Sequence, residues 1–462
     1  MQHYIVELSK YAIAFIMCLY TFESFFVFRH DNELDRTGSY IRQCIYMFLI
    51  TLLSFASLTL QRGEIEYIFF FAFLEIALFS VIVLFSMIYP LCNRLLVNHM
   101  CMLLSIGFIM IARLDFSKAI KQFVIVAVSL VIALIVPFFV HNLRFLKHLW
   151  FLYATIGIGG LGAVLLAGQV THGSKIFYSI QGVTIQPSEF IKIIYAFLIA
   201  SLLYKSTKIT QVLLSAFLAA IHVLILVASR DLGSAVIFFI GYLFVLFIAS
   251  RNYLYLFSGI GIGSIAAVVS YYLFSHVQVR VQAFLDPFAA IDKEGYQITQ
   301  SLFAIGTGSW FGMGLNRGTP NDIPYVLSDF MFSAVAEEMG VIFAICMILV
   351  CLSCFVMMMT IALSLQERFY QLIAVGLGVI YIFQIFLTIG GGIKFIPMTG
   401  VTLPLVSYGG SSVLSTLLMF SVVQGLYIVR KDEQKQEEEE ELEEEEFLYA
   451  NKKRQKRKRL NF

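Results

Sequence analysis

Charged residues are scarce over most of this 462-residue chain. They make up 13% of it, and 21 of the 62 lie at positions 430–462, which leaves 41 for the first 429 positions. That is less than half the share of about 25% that is usual in soluble globular domains. A soluble fold of this size could not cover its surface with so few charges, so the body of the protein is predicted to lie in a lipid bilayer.

Other absences exclude further classes. A formal net charge of +2 leaves no basic face, so we expect no nucleic-acid partner. Continuous rather than alternating apolar runs exclude an outer-membrane barrel. The first run, 11–28, contains Glu23 and lacks a small-residue cleavage site, so no cleavable signal peptide is predicted. The seven cysteines lie in or at the ends of apolar segments and are expected to be lipid-facing or packed thiols. The eight scattered histidines show no metal-ligand spacing, so we expect no protein-held metal.

Apolar runs of about 20 residues, the length of a membrane-spanning helix, are abundant. They predict an all-α polytopic membrane protein, whose one long connection, 276–328, is expected to lie back on the bundle as a cap or re-entrant element. The thirteen predicted spans are 8–29, 40–61, 67–90, 96–113, 119–141, 148–169, 187–205, 209–229, 232–250, 254–275, 330–362, 370–391 and 407–429.

The charged tail, 430–462, decides the predicted orientation. Lys and Arg are balanced between the two sets of loops, but Arg430, Lys431 and Lys435 directly follow the last span, as cytoplasmic anchors do. The C-terminus is therefore predicted to be cytoplasmic, and the N-terminus and the long loop extracytoplasmic. Nine glutamates followed by seven basic residues are expected to form a solvated arm, whose basic cluster could either touch membrane lipids or pair with the acidic block.

Ionisable residues inside the predicted membrane region are candidates for function, because their burial in lipid is costly. Glu189 and Lys192 are three residues apart and share a helix face. They are either a self-neutralising ion pair or the floor of an outward-facing cavity with Lys192 available for a phosphate. The other candidates are Glu23, Glu75, Asp231, Asp329, Glu337 and Glu338, with Arg113 and Arg230 at span ends.

Three polar features flank the last spans. Asp329 is placed where the long loop re-enters the membrane at a helix start, so it is either a helix cap or a functional carboxylate. Glu337 and Glu338 point to different sides of that helix, so they are predicted not to form one site, with Glu338 pairing to another helix. The segment 407–412 places hydroxyls and two glycines at a helix start, which suits an anion.

A set of motifs in order and spacing from about residue 96 to 429 resembles the SEDS family of shape, elongation, division and sporulation proteins. These motifs are QPSEF at 186–190 with Lys192, DLG at 231–233, Arg280, LDP at 285–287, GYQ at 295–297, QS at 300–301, AIG at 304–306, SDF at 328–330, EEMG at 337–340, PMTGVTLP at 397–404 and SYGGSS at 407–412.

The resemblance implies a ten-span helical bundle, 96–429, that polymerises lipid II into peptidoglycan strands beside a class B penicillin-binding protein. Three extra spans in 1–95 precede it and the tail, 430–462, follows. Asp329 matches the essential aspartate of the family. Two local departures are Thr388, where the family usually has Asn, and Arg230, where it commonly has Pro.

The chemistry agrees with that assignment. A sugar hydroxyl must attack an anomeric carbon that carries a lipid pyrophosphate, and a carboxylate such as Asp329 can take the hydroxyl proton. The pyrophosphate needs positive charge and hydrogen-bond donors, and a divalent cation could assist there, although no residue pattern indicates one. The predicted substrate-binding residues are Glu189, Lys192, Arg280, Ser407, Ser411 and Ser412.

Two other functions compete with the polymerase. One is a transporter that flips lipid II across the membrane, which would often show paired broken helices in two halves. The other is a non-enzymatic scaffold for cell-wall enzymes, which should tolerate the loss of Asp329. The sequence does not separate roles in division, elongation and sporulation, because the motifs are shared among those branches.

Overall fold

The computed structural model describes residues 2–29, 33–142, 144–171, 174–180, 183–291 and 293–460. Sixteen α-helices lie within these ranges, joined by 3-10 turns at Val27–Arg29, Arg144–His148 and Pro320–Asp322. They are α1 (Gln2–Phe26), α2 (Glu33–Arg62), α3 (Glu66–Ile88), α4 (Arg94–Leu114), α5 (Phe116–Asn142), α6 (Trp150–Ala167), α7 (Pro187–Leu203), α8 (Ile209–Ala228), α9 (Leu232–Ser250), α10 (Tyr253–Leu273), α11 (Ser275–Leu285), α12 (Tyr296–Gly308), α13 (Met331–Met339), α14 (Val341–Ser364), α15 (Arg368–Gly392) and α16 (Gly410–Leu460).

The all-α membrane fold is confirmed. Twelve of the described helices are long and apolar enough to cross a membrane. A helix satisfies all its backbone polar groups internally, which lipid requires of a spanning segment. The remaining predicted span, 187–205, corresponds to α7. This helix has 17 residues, at the short end of the spanning range.

The predicted span 330–362 was wrong as a single helix. Gly340 separates α13 from α14 and has a φ of +91°, a left-handed value that favours glycine. A Cβ on Gly340 would lie 2.4 Å from the backbone nitrogen of Gly312, so only glycine permits this approach. The break lets the chain that follows α12 pack directly against the end of α13.

The connections hold more structure than the sequence indicated. The long connection contains α11 and α12, and a three-stranded antiparallel sheet that the sequence did not predict lies between α6 and α7. Its strands are β1 (Gln169–Thr171), β2 (Ser174–Ile180) and β3 (Val183–Ile185), in the order β1-β2-β3, with Tyr178 opposite Ile185. The sheet ends directly before Gln186 and so delivers the chain to the start of α7.

Helices α4 and α15 lie at the centre of the bundle. Every residue of α4 from Leu95 to Arg113 is buried, whereas α10 has no buried residue and lies at the edge. Helix α15 packs against α14, α9 and α7, and α16 runs along α5. The N-terminal extension, α1–α3, joins this bundle through contacts of α1 with α14 and of α2 and α3 with α4.

Successive spans alternate in direction, so the connections collect at two ends. One end holds the starts of α7, α9 and α16 and residues 274–291 and 293–340. Because Asp329 lies there, we name it the Asp329 end. The opposite end holds the short turns between α9 and α10 and between α14 and α15.

Candidate functional site

Asp329 lies in the turn immediately before α13. The segment that leads into α16 holds this turn: the Ser407 hydroxyl donates to the Ser328 carbonyl, and the Tyr408 N–H donates to the Leu327 carbonyl at 2.8 Å. Two consecutive carbonyls beside Asp329 are thus bonded to one neighbouring segment, which places its carboxylate.

The carboxylate of Asp329 does not cap α13. The N-cap residue of that helix is Phe330, and no side chain in the described structure makes a capping hydrogen bond to it. Burial raises the pKa of Asp329 to about 6, while the Ser328 hydroxyl and the Arg280 charge act in the opposite direction. A carboxylate with this pKa is mostly ionised at neutral pH and remains basic enough to accept a proton.

Arg280 and Asp329 flank Gly400. A Cβ built on Gly400 would lie 3.7 Å from Nη2 of Arg280 and 3.7 Å from Oδ2 of Asp329. Nη1 of Arg280 donates to the Thr399 carbonyl at 3.2 Å, so the guanidinium is anchored on this segment. Burial lowers the pKa of Arg280, and the nearby carboxylates of Asp329 and Asp231 oppose that shift. The glycine therefore leaves a space between a carboxylate and a cation.

Gly400→Ala is expected to lower catalysis more than stability. Gly400 has a φ of +72°, so any side chain there adds about 1–2 kcal/mol of strain. Its methyl group would also occupy the space between Arg280 and Asp329 that a substrate would have to enter. We expect at least about a tenfold loss of rate, since misplacing a substrate by about 1 Å can cost 10²-fold.

Gly63→Ala is the matched control for that variant. Gly63 has nearly the same φ, +71°, but a Cβ there meets nothing within 4 Å. The two variants should show similar shifts in melting temperature and different rates of sugar transfer. Equal rates would show that the space at Gly400 is not used.

Asp231 is a buried carboxylate at the same end of the bundle that sequence reasoning did not place in the site. Its Oδ1 accepts from the Ser234 N–H at 3.1 Å, which caps α9. Its Oδ2 accepts from Ser188 at 3.2 Å and from Gln186 at 3.3 Å. The DLG motif at 231–233 was the available signal. These bonds tie the starts of α7 and α9 together.

Helix α15 holds the segment that carries Gly400. The Thr388 hydroxyl donates to the Val401 carbonyl at 2.9 Å, and the Gln384 amide donates to the Thr402 carbonyl at 3.1 Å. Thr388 is the position where the resembling family usually has Asn. At this position, where the sequence departs from the family pattern, the Thr388 hydroxyl therefore bonds to the segment that carries Gly400.

Glu189 and Lys192 form a buried ion pair. Lys192 Nζ donates to Glu189 at 2.5 Å and to the Gln384 side chain at 2.7 Å. Because Gln384 also binds the Thr402 carbonyl, the pair is connected to the segment before α16. The expectation that Lys192 binds a phosphate stays a prediction.

Substitution of Glu189 or Lys192 alone should destabilise the folded protein more than substitution of both residues together. Lys192→Met leaves Glu189 buried without its partner, a change that typically costs about 3–5 kcal/mol, whereas replacing both charges is often close to neutral. Thermal unfolding and activity of Glu189→Gln, Lys192→Met and the double variant decide the role. If the double variant regains stability but not activity, the pair contacts substrate; if it regains both, the pair is structural.

The three predicted serines all bond to neighbouring protein groups. Ser407 binds the turn before Asp329. Ser411 accepts from the Gln186 N–H at 3.1 Å and donates to the Thr184 carbonyl, and Ser412 accepts from the Thr402 hydroxyl at 2.7 Å. They align the start of α16 with the sheet and with the Gly400 segment, and their contact with substrate stays a prediction.

Glu337 and Glu338 lie at the end of α13. Glu338 pairs with Arg113 of α4 at 2.6 Å, which confirms the predicted pairing to another helix. Glu338 also accepts from the Gly318 N–H at 3.2 Å and Glu337 from the Thr319 N–H at 2.8 Å. That the two glutamates do not form one site stays a prediction. The long loop folds back, so both carboxylates bind adjacent amides of it.

The structure thus brings Asp329, Arg280 and Ser407 together, with Glu189 and Lys192 connected through α15. Within the described ranges, no three His, Cys, Asp or Glu side chains are grouped to hold a metal ion. Magnesium is commonly held by one or two carboxylates together with substrate phosphates. Assistance by a divalent cation therefore stays a prediction.

Comparison with known families assigns most of the chain. Residues 87–432 match the FtsW/RodA/SpoVE family profile, which is described as a cell cycle protein. The peptidoglycan glycosyltransferase RodA of Mycobacterium tuberculosis is 31% identical over 365 residues, covering 72% of this chain and 77% of the relative. A probable peptidoglycan glycosyltransferase FtsW of Aliivibrio salmonicida is 32% identical over 302 residues, covering 62% and 74%.

Solved structures share the fold. A chain from a peptidoglycan synthase complex that coordinates polymerisation and crosslinking superposes with a TM-score of 0.62 at 24% identity, covering 74% of this chain and 98% of that one. The rod shape determining protein RodA of Thermus thermophilus gives a TM-score of 0.57 at 22% identity, covering 73% and 96%. At these identities the likeness concerns the fold alone.

Proposed function

Since this chain belongs to the FtsW/RodA/SpoVE family and is a multi-pass peptidoglycan glycosyltransferase of the bacterial inner membrane, we propose that Asp329 is its general base and lipid II its substrate. The observation that carries the proposal is the position of Asp329: a carboxylate facing Arg280 across the space over Gly400. We also propose that the Asp329 end faces the outside of the cell and that the C-terminus is cytoplasmic.

The reaction is a single displacement at the anomeric carbon. Asp329 accepts the proton of the acceptor sugar hydroxyl, whose oxygen forms the new glycosidic bond. The bond from the anomeric carbon to the pyrophosphate oxygen breaks, and that oxygen keeps the electron pair. One base and no covalent intermediate suffice, as in inverting glycosidases, where one carboxylate activates the nucleophile.

Arg280 is the cation proposed for the leaving pyrophosphate. It lies beside Asp329 and is held by the Thr399 carbonyl. Negative charge grows on the leaving group in the transition state, and a positioned cation stabilises it without reorganisation. The ion pair of Lys192 and Glu189 is proposed to support the segment that carries Gly400 through Gln384.

The proposed partner is a class B penicillin-binding protein, which would crosslink the strands. The support is the structural neighbour that belongs to a peptidoglycan synthase complex of polymerisation and crosslinking. Membrane lipids surround the spans, and the proposal includes no nucleic acid.

Purified protein with labelled lipid II tests the proposal, with and without a transpeptidase-inactive partner. Polymer in either arm supports the polymerase. No polymer in both arms, together with movement of lipid II between leaflets of proteoliposomes, would replace it by the transporter. If the protein shows neither polymerisation nor movement of lipid II, the non-enzymatic scaffold is the remaining function.

A further inference from the structure

The N-terminal extension contacts a loop that lies near the proposed base. This loop, 309–319, follows α12 and lies at the Asp329 end. We infer that the extension is a positioning element: its contacts with the 309–319 loop hold α13 and, through it, Asp329. The inference rests on the proposed function, and it assigns a role to the three spans outside the family match.

One face of the loop is bound by the extension. Arg317 pairs with Glu7 of α1 at 2.5 Å. The Gln61 amide at the end of α2 donates to the Leu315 carbonyl at 2.7 Å. The ring of Tyr11 also packs against Phe311, with 5.1 Å between ring centroids.

Arg62 strengthens the same connection. Its Nη2 donates to the Asn316 side chain at 3.2 Å and to the Arg113 carbonyl at 2.6 Å. Arg113 in turn pairs with Glu338 and donates to the Gly318 carbonyl. The extension therefore binds both the loop and α4, whose Arg113 also bonds to the loop.

The other face of the loop is bonded to the C-terminal part of α13. The Met313 N–H donates to the Glu337 carbonyl and the Gly314 N–H to the Glu338 carbonyl, both at 2.9 Å. A Cβ on Gly312 would lie 2.3 Å from the Glu338 carbonyl oxygen, so the two backbones are in direct contact. Loop and helix must move together.

Helix α13 transmits this position to the site. It begins two residues after Asp329 and has nine residues, all of them buried. Nine helical residues give it a length of about 13 Å. A short rigid helix bonded at its far end fixes the direction of the turn at its near end. General-base catalysis depends on that direction, because displacement by about 1 Å can cost 10²-fold in rate.

A merely structural role would be that these contacts attach the extension to the bundle. Attachment also occurs at the opposite end, where the Asn98 amide of α4 donates to Gln43 of α2 at 2.9 Å. Gln43 and Gln61 are the same residue type on the same helix, and both bond across to the rest of the bundle. Variants at these two positions therefore distinguish attachment of the extension from positioning of α13.

The experiment compares kcat and KM for strand synthesis in Gln61→Glu, Gln61→Arg, Arg317→Gln and Gln43→Ala. Gln61→Glu keeps the shape but has no N–H to donate, whereas Gln61→Arg keeps a donor. We expect Gln61→Glu and Arg317→Gln to lower kcat about tenfold with KM within about twofold. Gln61→Arg should retain activity, and Gln43→Ala should lower the melting temperature while leaving kcat of the folded protein unchanged.

Hydrogen exchange of 323–340 is measured on the same proteins and needs no activity. Positioning predicts exchange in this segment at least about fivefold faster in Gln61→Glu and Arg317→Gln than in Gln43→Ala. Wild-type kcat and unchanged exchange in both loop variants would overturn the inference. If the wild type makes no polymer but exchange is still faster in Gln61→Glu and Arg317→Gln than in Gln43→Ala, the positioning contact is retained and the proposed function is rejected instead.

Discussion

Asp329→Asn is expected to lower the rate of strand synthesis by about 10²–10⁴-fold, the usual contribution of a general base. The amide has the shape of the carboxylate but does not accept the hydroxyl proton. The loss should appear in a single-turnover rate of glycosidic bond formation with bound lipid II, because proton transfer belongs to the chemical step.

Two comparisons make this result specific. The melting temperature of Asp329→Asn should be close to that of the wild type, because Asp329 is only half-buried and makes no capping bond to α13. Binding of lipid II should change little, since the loss concerns the transition state. A variant with a rate within a few-fold of the wild type would remove Asp329 from the mechanism.

Arg113→Met is expected to destabilise the protein by about 3–5 kcal/mol, the cost of leaving a buried charge unpaired. The Glu338 side chain is fully buried and that of Arg113 is 5% exposed. The measurement is the unfolding transition of purified protein in detergent. The double variant Arg113→Met/Glu338→Leu should regain most of the loss, because replacing a whole buried pair by apolar residues is often neutral.

Lys147→Met supplies the control for that comparison. Lys147 pairs with Glu367 at 2.6 Å at the opposite end of the bundle, and both side chains are about one-third exposed. Such pairs contribute about 0–1 kcal/mol. If Arg113→Met were no more harmful than Lys147→Met, the buried pair would not hold α13 against α4.

The spans could be predicted from sequence because the bilayer imposes length and hydropathy directly. Runs such as 67–90 and 370–391 correspond to α3 and α15 with shifts of about two residues. The predicted span 330–362 failed because apolar residues lie on both sides of Gly340, while the left-handed backbone there depends on the close approach of Gly312. That contact joins residues far apart in sequence and has no local pattern.

Part of the site was also accessible from the sequence. The motifs contain Asp329, Arg280 and Ser407, and the structure places these residues at one end of the bundle. The partners of Glu189 and Lys192 were not accessible, since their bond to Gln384 requires knowing how α7 packs on α15. The strands β1, β2 and β3 were missed because they are short and lie between two strongly apolar segments.

The same limit applies to Glu337 and Glu338. Helical geometry correctly separates their side chains, but the returning loop offers adjacent amides at Gly318 and Thr319 to both. The hydrogen-bond partners of a helical side chain depend on what packs against the helix, and a single sequence does not carry that information.

The most direct measurement of the central claim is the pH dependence of strand synthesis in wild type and Asp329→Asn, from about pH 5 to about pH 8. Asp329 has a pKa raised to about 6, and a base acts only when deprotonated. The wild-type rate should therefore rise as the pH increases through about 6 and then level off. Asp329→Asn should be at least about 10²-fold slower and show no such rise. An acid limb near pH 6 that persists in Asp329→Asn would show that another group is the base and would contradict this account.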